Sequence, residues 1–131
     1  MRTIFRWQDG DKLIYRDIPR QISILIEPRT TGSQQFAMGL EVVDVGSEIP
    51  RHIHPDAEEI LFIYDGQGRI QVGDETQDVG PETTVFIPKD TWHSLVNTGT
   101  ISLKLTWTFS PAGFQDRMRA LAREGIPYQE Q

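Results

Sequence analysis

The strongest constraint on the fold is a strict alternation of apolar and polar residues in short runs. Residues 101–109 (ISLKLTWTF) give the clearest case, because Leu103, Leu105, Trp107 and Phe109 share one parity. A period of two is typical of a strand with one buried face. Runs in the same style, separated by turn-forming residues, cover 22–28, 36–45, 59–66, 69–74 and 83–88. Many short strands at this spacing predict an antiparallel β-sandwich or barrel.

One helix is predicted, close to the end of the sequence. Ser110 is a suitable N-cap, with Pro111 in the first helical position and Gly125 as a stop. An apolar stripe, expected to pack against the outside of the sheets, is formed by Phe114, Met118, Leu121 and Ala122. The pattern therefore predicts a single domain over residues 1–131, with the barrel core at about 36–110 and the helix at about 111–124.

Length and charge exclude several classes of protein. A chain of 131 residues that is 37% hydrophobic suits one folded domain. A net charge of −6 disfavours a nucleic-acid or anionic-membrane partner, both of which require a basic face. Without cysteine there is no disulfide framework, zinc ribbon or thiol nucleophile. No apolar run is long enough for a secretory signal or a membrane span, so a soluble, cytoplasmic protein is expected.

Two of the three histidines stand together in residues 50–66 (PRHIHPDAEEILFIYDG). In a strand His52 and His54 point to the same side, where both can reach one metal ion. Glu59 heads the next apolar run, and His93 on a later segment would complete a set of three nitrogens and one oxygen. The alternative is that these are ordinary surface or core histidines beside solvated carboxylates, since an HxH pair also arises by chance.

The spacing around these residues resembles that of the cupin superfamily. The first cupin motif joins a glycine, an HxH pair, a glutamate and a second glycine, which here are Gly46, His52, His54, Glu59 and Gly66. Glu58 would fit a variant with a shorter gap after the histidines. Only Glu59 also keeps the six-residue gap to the closing glycine, so Glu59 is the predicted ligand.

The second cupin motif is present with two departures. Pro88, His93 and Asn97 keep the spacing of the motif. Gly80 lies two residues further upstream than in the family pattern, which implies a slightly longer turn. Asp90 replaces the glycine after Pro88, and aspartate adopts a left-handed backbone better than most residues do. The segments IEPRTTG and SPAGF also look like those of quercetinase-related small cupins, a looser similarity.

The resemblance implies an all-β fold, the cupin jelly-roll β-barrel, with one metal ion held by His52, His54, Glu59 and His93. Imidazole and carboxylate ligands suit Mn, Fe, Ni, Co or Zn alike. Proteins with this ligand set include dioxygenases, decarboxylases, isomerases, lyases and binding proteins. The first hypothesis is a metal-dependent enzyme for a small oxygenated organic substrate, such as a dioxygenase or a related lyase, decarboxylase or isomerase. The alternative is a non-catalytic small-molecule binding or sensing domain.

Parity also predicts the wall of the pocket. The residues expected on the inner face are Phe36, Met38, Leu61, Val85, Ile87, Leu95, Leu105 and Trp107. Of these, the candidates for substrate contact are Phe36, Met38, Leu61, Leu105 and Trp107. No catalytic residue is assigned beyond the metal ligands. The nearest ionisable options, interpreted as exposed or structural, are Tyr15, Glu41, Glu58 and Lys104. Arg29 and Arg51 are interpreted as solvated surface residues, although either could hold a substrate carboxylate.

The N-terminal region predicts an oligomer. Residues 3–18 carry more apolar surface than a free segment needs, in Phe5, Trp7, Leu13, Ile14 and Tyr15. Exposed apolar surface of this kind marks protein–protein contacts, and closed dimers are the commonest oligomers. A homodimer that buries part of this region is therefore expected.

Overall fold

The structure of the chain, a computed structural model, describes residues 2–123. The strands are β1 Asp11–Tyr15, β2 Arg20–Ile26, β3 Ala37–Val43, β4 Glu48–His52, β5 Glu58–Asp65, β6 Gly68–Val72, β7 Glu75–Val79, β8 Thr83–Ile87, β9 His93–Asn97 and β10 Leu103–Ser110. The helical segments are a 3₁₀ turn at Trp7–Asp9, α1 at Pro28–Thr31 and α2 at Phe114–Arg123.

The strands form two antiparallel sheets. One has six strands in the order β1-β2-β3-β10-β5-β8, and the other has four in the order β4-β9-β6-β7. The alternation in β10 is confirmed, since Leu103, Leu105, Trp107 and Phe109 are all buried. Together with Ile63, Leu95 and their neighbours from both sheets, these side chains form one hydrophobic core. The prediction of an all-β fold is therefore confirmed.

The predicted orientation of β3 is wrong. Phe36 is 51% exposed and Met38 lies with Leu40 and Val42 on the half-buried face, while Ala37, Gly39, Glu41 and Val43 are buried. Size explains the inversion: a Cβ on Gly39 would lie 1.9 Å from the Ser23 carbonyl oxygen and 2.6 Å from the Trp107 ring. The inward face of β3 must therefore be small where it meets Trp107, and hydrophobicity alone selects the wrong parity.

Helix α2 begins later than predicted and packs in a different place. Ser110 is the last residue of β10 and pairs with Glu58, so it does not cap the helix, which starts at Phe114. Met118 and Leu121 are buried in the core rather than against the outside of the sheets. The predicted stop at Gly125 lies outside the described residues. Between residues 2 and 123, no helix combines the length and the apolar character needed to cross a membrane.

A buried arginine anchors α2 to the six-stranded sheet. Arg119 Nη1 donates to Glu27 Oε1 at 2.9 Å and Nη2 contacts Glu27 Oε2, and both side chains are buried. Arg119 Nε also donates to Asp11 Oδ2 at 2.9 Å, and the Tyr15 hydroxyl donates to the Met118 carbonyl at 3.1 Å. These contacts fix the helix to β1 and to the end of β2.

Candidate metal centre

Two sheets and one loop bring the four predicted ligands together. His52 at the end of β4 pairs with His93 at the start of β9, so both imidazoles come from the four-stranded sheet. Glu59 is the second residue of β5 in the six-stranded sheet, and His54 lies in the connection between β4 and β5. All four side chains are buried. The site therefore lies between the two sheets.

The donor atoms converge at distances that suit one ion. One ligand atom from each of the four residues lies within 4.8 Å of all the others. Glu59 Oε1 is 3.1 Å from His93 Nε2 and 3.2 Å from His54 Nε2. Neighbouring ligands held at about 2.1 Å from an ion, at right angles, lie about 3 Å apart. Glu58, the alternative carboxylate, is exposed.

Hydrogen bonds set the tautomers of two histidines. Nδ1 of His52 lies 2.7 Å from the Pro50 carbonyl, and Nδ1 of His93 lies 2.9 Å from the Thr91 carbonyl. Because a carbonyl only accepts, each Nδ1 carries the proton, and the lone pair is on Nε2. In His93 this lone pair faces the Glu59 carboxylate at 3.1 Å. Two acceptors so close require a proton or a cation between them.

His54 provides an independent test of whether a metal fits. Its side chain is 2% exposed, Nδ1 makes no hydrogen bond to the described residues, and Nε2 faces only the Glu59 carboxylate, 3.2 Å from Oε1. A buried polar group without a hydrogen bond is costly, and ligation of an ion through Nε2 would remove that cost. Three imidazoles and one carboxylate form a donor set that divalent Mn, Fe, Co, Ni and Zn all accept. The residues therefore fit a divalent transition metal.

The electrostatics keep two of the ligands deprotonated. Burial lowers the pKa of His52 well below its usual value, and the neighbouring His93 and His54 lower it further. Burial alone would raise the pKa of Glu59, but His54 and His93 outweigh it and lower that pKa to about 2. Metal ligands must be deprotonated to bind. At neutral pH, therefore, both groups are in the form that an ion needs.

The loop after β8 supports the ligand loop. Asp90 has a φ of 60°, which confirms that aspartate takes the left-handed position in place of the motif glycine. Its backbone N–H donates to the His54 carbonyl at 2.9 Å. Asn97 is buried, and its amide donates to the Val43 and Ile101 carbonyls at 3.0 Å. Asn97 thus holds neighbouring chain segments together and is not part of the ligand cluster.

The interior cavity beside the ligands is small. Its volume is about 20 Å³, and Leu61 and Trp107 line it together with His52, Glu59 and His93. Leu105 is buried in the core but does not line the cavity. The predictions for Phe36 and Met38 are wrong, because both lie on the opposite face of β3.

A second, larger space lies on the other side of His54. This groove has a volume of about 420 Å³ and runs between residues 54–57 and residues 111–117. His54 itself lines the groove beside Phe114, whose ring is edge-on to His54 at 3.9 Å between centroids. The sequence pattern identified Phe114 only as part of a packing stripe, because the pattern contains no information on which elements the helix meets.

Comparison with known proteins identifies the family. Residues 39–109, more than half of the chain, match the family Cupin_2, described as the cupin domain. The chain is a cupin. It is 30% identical to protein SchB of Streptomyces halstedii over 69% of this chain and 65% of that one. It is also 29% identical to polyketide synthase CurC of Streptomyces cyaneus, over 66% of this chain and 56% of that one. The chain thus spans less than two thirds of the length of these relatives.

A solved structure confirms the barrel. The polyketide cyclase RemF from Streptomyces resistomycificus superposes with a TM-score of 0.72 at 20% identity, covering 86% of this cupin and 81% of that chain. Likeness at this identity shows the fold. Together with the two antiparallel sheets and the short C-terminal helix, it confirms the expected cupin jelly-roll.

The sequence pattern did not identify Glu41 as a residue of the site. Glu41, interpreted as exposed or structural, is 6% exposed and lines the same cavity as His52, Glu59 and His93. Its Oε2 lies 3.4 Å from Nε of the buried Arg20. Glu41 is the only acidic residue in β3, which marks it as unusual for a buried strand. The pattern of hydrophobicity assigned Glu41 to the outward face, so its place in the cavity was not predicted.

The other ionisable candidates do not line the interior cavity, although Arg51 shares a surface pocket with His93. Tyr15 is buried under the Arg20 guanidinium, which sits 4.2 Å above its ring, and burial raises the pKa of Tyr15. Lys104 is half-buried on the outward parity of β10. Arg29 is exposed beside Asp116, and the Arg51 guanidinium stacks 4.0 Å above the Trp92 ring.

Proposed function

We propose that this cupin is a metal-dependent enzyme that binds one divalent transition-metal ion and acts on a small oxygenated organic molecule. The observation that carries the proposal is the convergence of four buried donors, His52, His54, Glu59 and His93, with a carboxylate oxygen facing an imidazole lone pair. A single proton would satisfy only one pair of these groups, whereas a divalent cation at the centre would satisfy all four donors at once. An ion bound there supplies Lewis-acid polarisation of substrate oxygens or, for a redox-active metal, electron transfer.

The residues of the chain would keep the site dry and oriented. Phe109 packs against His54, and Phe114 covers the same ring from the groove side. Pro50 and Thr91 hold the rings of His52 and His93 through their carbonyls, which fixes Nε2 toward the centre. The groove is large enough for the body of a small organic molecule, whereas the interior cavity is not.

The reaction belongs to the group that a three-histidine, one-carboxylate site supports: dioxygenase chemistry, or a related lyase, decarboxylase or isomerase reaction. Two of the similar proteins are a polyketide synthase and a polyketide cyclase. Those names support substrates with several ketone or enol oxygens, which are good ligands for a hard or borderline cation. We therefore place enolisable ketones and phenols first among the candidate substrates.

Metal content is the first test. We expect close to one transition-metal ion per chain in wild-type protein purified without chelator or affinity metal, and in Glu58→Gln. His52→Ala and Glu59→Gln should lose most of it, because each removes a donor from the cluster. Glu58→Gln is the matched control, since it makes the same change at the exposed neighbour of Glu59. Wild-type protein that takes up no metal, even after reconstitution, would overturn the proposal.

Turnover separates the enzyme from a binding or sensing domain. Metal-loaded protein is screened with catechols, flavonols and diketones for oxygen uptake, and in parallel for substrate loss without oxygen. Consumption in either assay that disappears in His52→Ala supports an enzyme. Saturable binding of these compounds with no product in either assay would instead support the non-catalytic alternative.

A further inference from the structure

Glu41 is a buried carboxylate whose surroundings do not satisfy it. Its Oε2 is shielded from solvent and makes no hydrogen bond to the described residues. The nearest positive group, Arg20 Nε at 3.4 Å, forms an ion pair with it. A buried carboxylate oxygen without a hydrogen bond is costly, so an oxygen that is retained in this state usually has a further partner.

The cavity supplies the place for that partner. Glu41 and the three ligands His52, Glu59 and His93 line one space between the sheets. The cavity volume of about 20 Å³ exceeds the roughly 10–15 Å³ that a single water needs. A water there would share this cavity with the Glu41 side chain and with three of the four ligands. The rest of the lining is mainly apolar, including Leu61 and Trp107, so these polar groups would orient it.

We propose that Glu41 is the proton-transfer residue for the chemistry of the candidate metal centre, acting through one water in this cavity. The proposal rests on the proposed function and narrows it to reactions that need a proton delivered or removed, such as enolisation or decarboxylation of a carbonyl substrate. In the delivering direction, the O–H bond of the Glu41 carboxyl breaks and its proton passes to the water. The water gives another proton to the developing enolate or alkoxide oxygen. The electron pair stays on the Glu41 carboxylate beside Arg20, and solvent later restores the proton.

The charges around Glu41 suit a group that changes protonation state. Burial raises the pKa of Glu41 to about 7, against the opposing effect of Arg20 and with a small addition from Glu59. Arg20 on β2 is the cation that faces Glu41, and Tyr15 on β1 lies under the Arg20 guanidinium. On β10, the backbone partner of Glu41 is the apolar Leu105. A pKa near the working pH is the value that makes a general acid–base most effective.

Anion binding tests the proposal without a known substrate. Cobalt-loaded protein is titrated with azide at a series of pH values between about 5 and 8, in two buffers of different ionisation enthalpy, because a bound cation itself shifts the pKa of a nearby carboxyl. An anion at the metal favours the neutral carboxyl, so we expect wild type to take up more protons per azide than Glu41→Gln does, at the pH values where the carboxyl changes its protonation state. Glu58→Gln changes an exposed carboxylate beside Glu59 and should keep the wild-type uptake.

Failure of this proposal and failure of the proposed function give different results. Normal cobalt loading and azide binding, with equal proton uptake in wild type and Glu41→Gln, would overturn the role of Glu41 alone. No cobalt or azide binding in wild type would overturn the metal site, and the role of Glu41 with it. Because Glu41→Gln leaves Arg20 without its carboxylate, infrared difference spectra of wild type provide a second measurement. Azide should increase the band of a protonated carboxylic acid within the same pH range, and an unchanged band would also contradict the proposal.

Discussion

His52 and Glu41 line the same cavity, and burial shifts their pKa values in opposite directions. The pKa of His52 falls away from neutral pH, and the pKa of Glu41 rises toward it. Burial lowers the pKa of His52 well below 6.5, so the folded protein holds a neutral imidazole where the unfolded chain would take up a proton. Burial raises the pKa of Glu41 from 4.5 to about 7, so the folded protein holds a proton that the unfolded chain has released. Between pH 4.5 and 6.5, therefore, the two residues make the free energy of unfolding change with pH in opposite directions.

This opposition predicts the pH dependence of the metal-free protein. Below pH 6.5, His52 lowers the free energy of unfolding by up to about 1.4 kcal/mol per pH unit as the pH falls. Glu41 raises it by a similar amount between pH 7 and 4.5, so the two offset each other. We expect wild type to show a nearly flat stability between pH 4.5 and 6.5, and Glu41→Gln to lose stability steadily as the pH falls through that range. Urea unfolding at a series of pH values measures both slopes.

Below pH 4.5, Glu59 is expected to dominate the change of stability with pH. There the unfolded Glu59, with its ordinary value of 4.5, takes up a proton that the folded carboxylate, with a pKa of about 2, does not. Its stabilising effect is fully present above 4.5 and is lost as the pH falls toward 2. Wild type should therefore lose stability below pH 4.5 even though it is flat above. Parallel slopes for wild type and Glu41→Gln over the whole range would contradict the assignment of a raised pKa to Glu41.

Among the structural elements, α2 depends on one buried ion pair. Arg119 and Glu27 are both buried, and Arg119 joins the helix to β1 and to the segment that follows β2. Removing one member of a buried pair leaves the other charge without compensation. We expect Arg119→Ala to lower the free energy of unfolding by about 3–5 kcal/mol in urea titrations followed by tryptophan fluorescence.

An exposed ion pair provides the control for this prediction. Arg69 donates from Nε to Asp78 Oδ1 at 3.0 Å, with side chains that are 59% and 76% exposed. Exposed pairs contribute less than about 1 kcal/mol, so Arg69→Ala should have little effect. If the two variants lost similar amounts of stability, the Arg119–Glu27 pair would not be what holds α2 in place.

The elements also show what the sequence could predict. β10 alternates cleanly because it lies in the middle of the six-stranded sheet, with apolar residues on its buried face. β7 escaped prediction because it is an edge strand with exposed residues at four of its five positions, so no pattern marks it. The inward face of β3 carries small and charged residues, which a rule based on hydrophobicity assigns to solvent. Local patterns record burial well only where large apolar side chains provide it.

The ligand cluster was predictable for a different reason. His52, His54 and Glu59 lie within eight residues of one another, so the alternation of a strand and one short loop already bring them near each other. His93 is a long-range partner, brought opposite His52 by the pairing of β4 with β9. Only the family motif indicated that pairing. Glu41 belongs to no motif, and its position in the cavity follows from the packing of β3 in the six-stranded sheet.

At the scale of the whole molecule, apolar residues remain exposed outside the core. In the N-terminal region Leu13 and Tyr15 are buried within the chain itself, whereas Trp7 is 44% and Ile14 is 53% exposed. A second exposed patch lies across β5 and β8, where Ile60 is the direct cross-strand neighbour of Phe86. Patches of this kind commonly mark protein–protein contacts. They offer two alternative surfaces for the expected homodimer.

We propose that the homodimer buries the N-terminal surface, where exposed Ile14 on the edge strand β1 lies in the same region as the exposed Trp7. Light scattering at micromolar concentration should give twice the mass of the chain. Ile14→Lys should shift it toward the mass of one chain, because a buried unpaired charge in an interface is costly. Ile60→Lys places the same charge on the other patch and should leave the dimer intact. Dissociation by Ile60→Lys alone would assign the interface to β5 and β8, and a wild-type monomer would exclude the dimer.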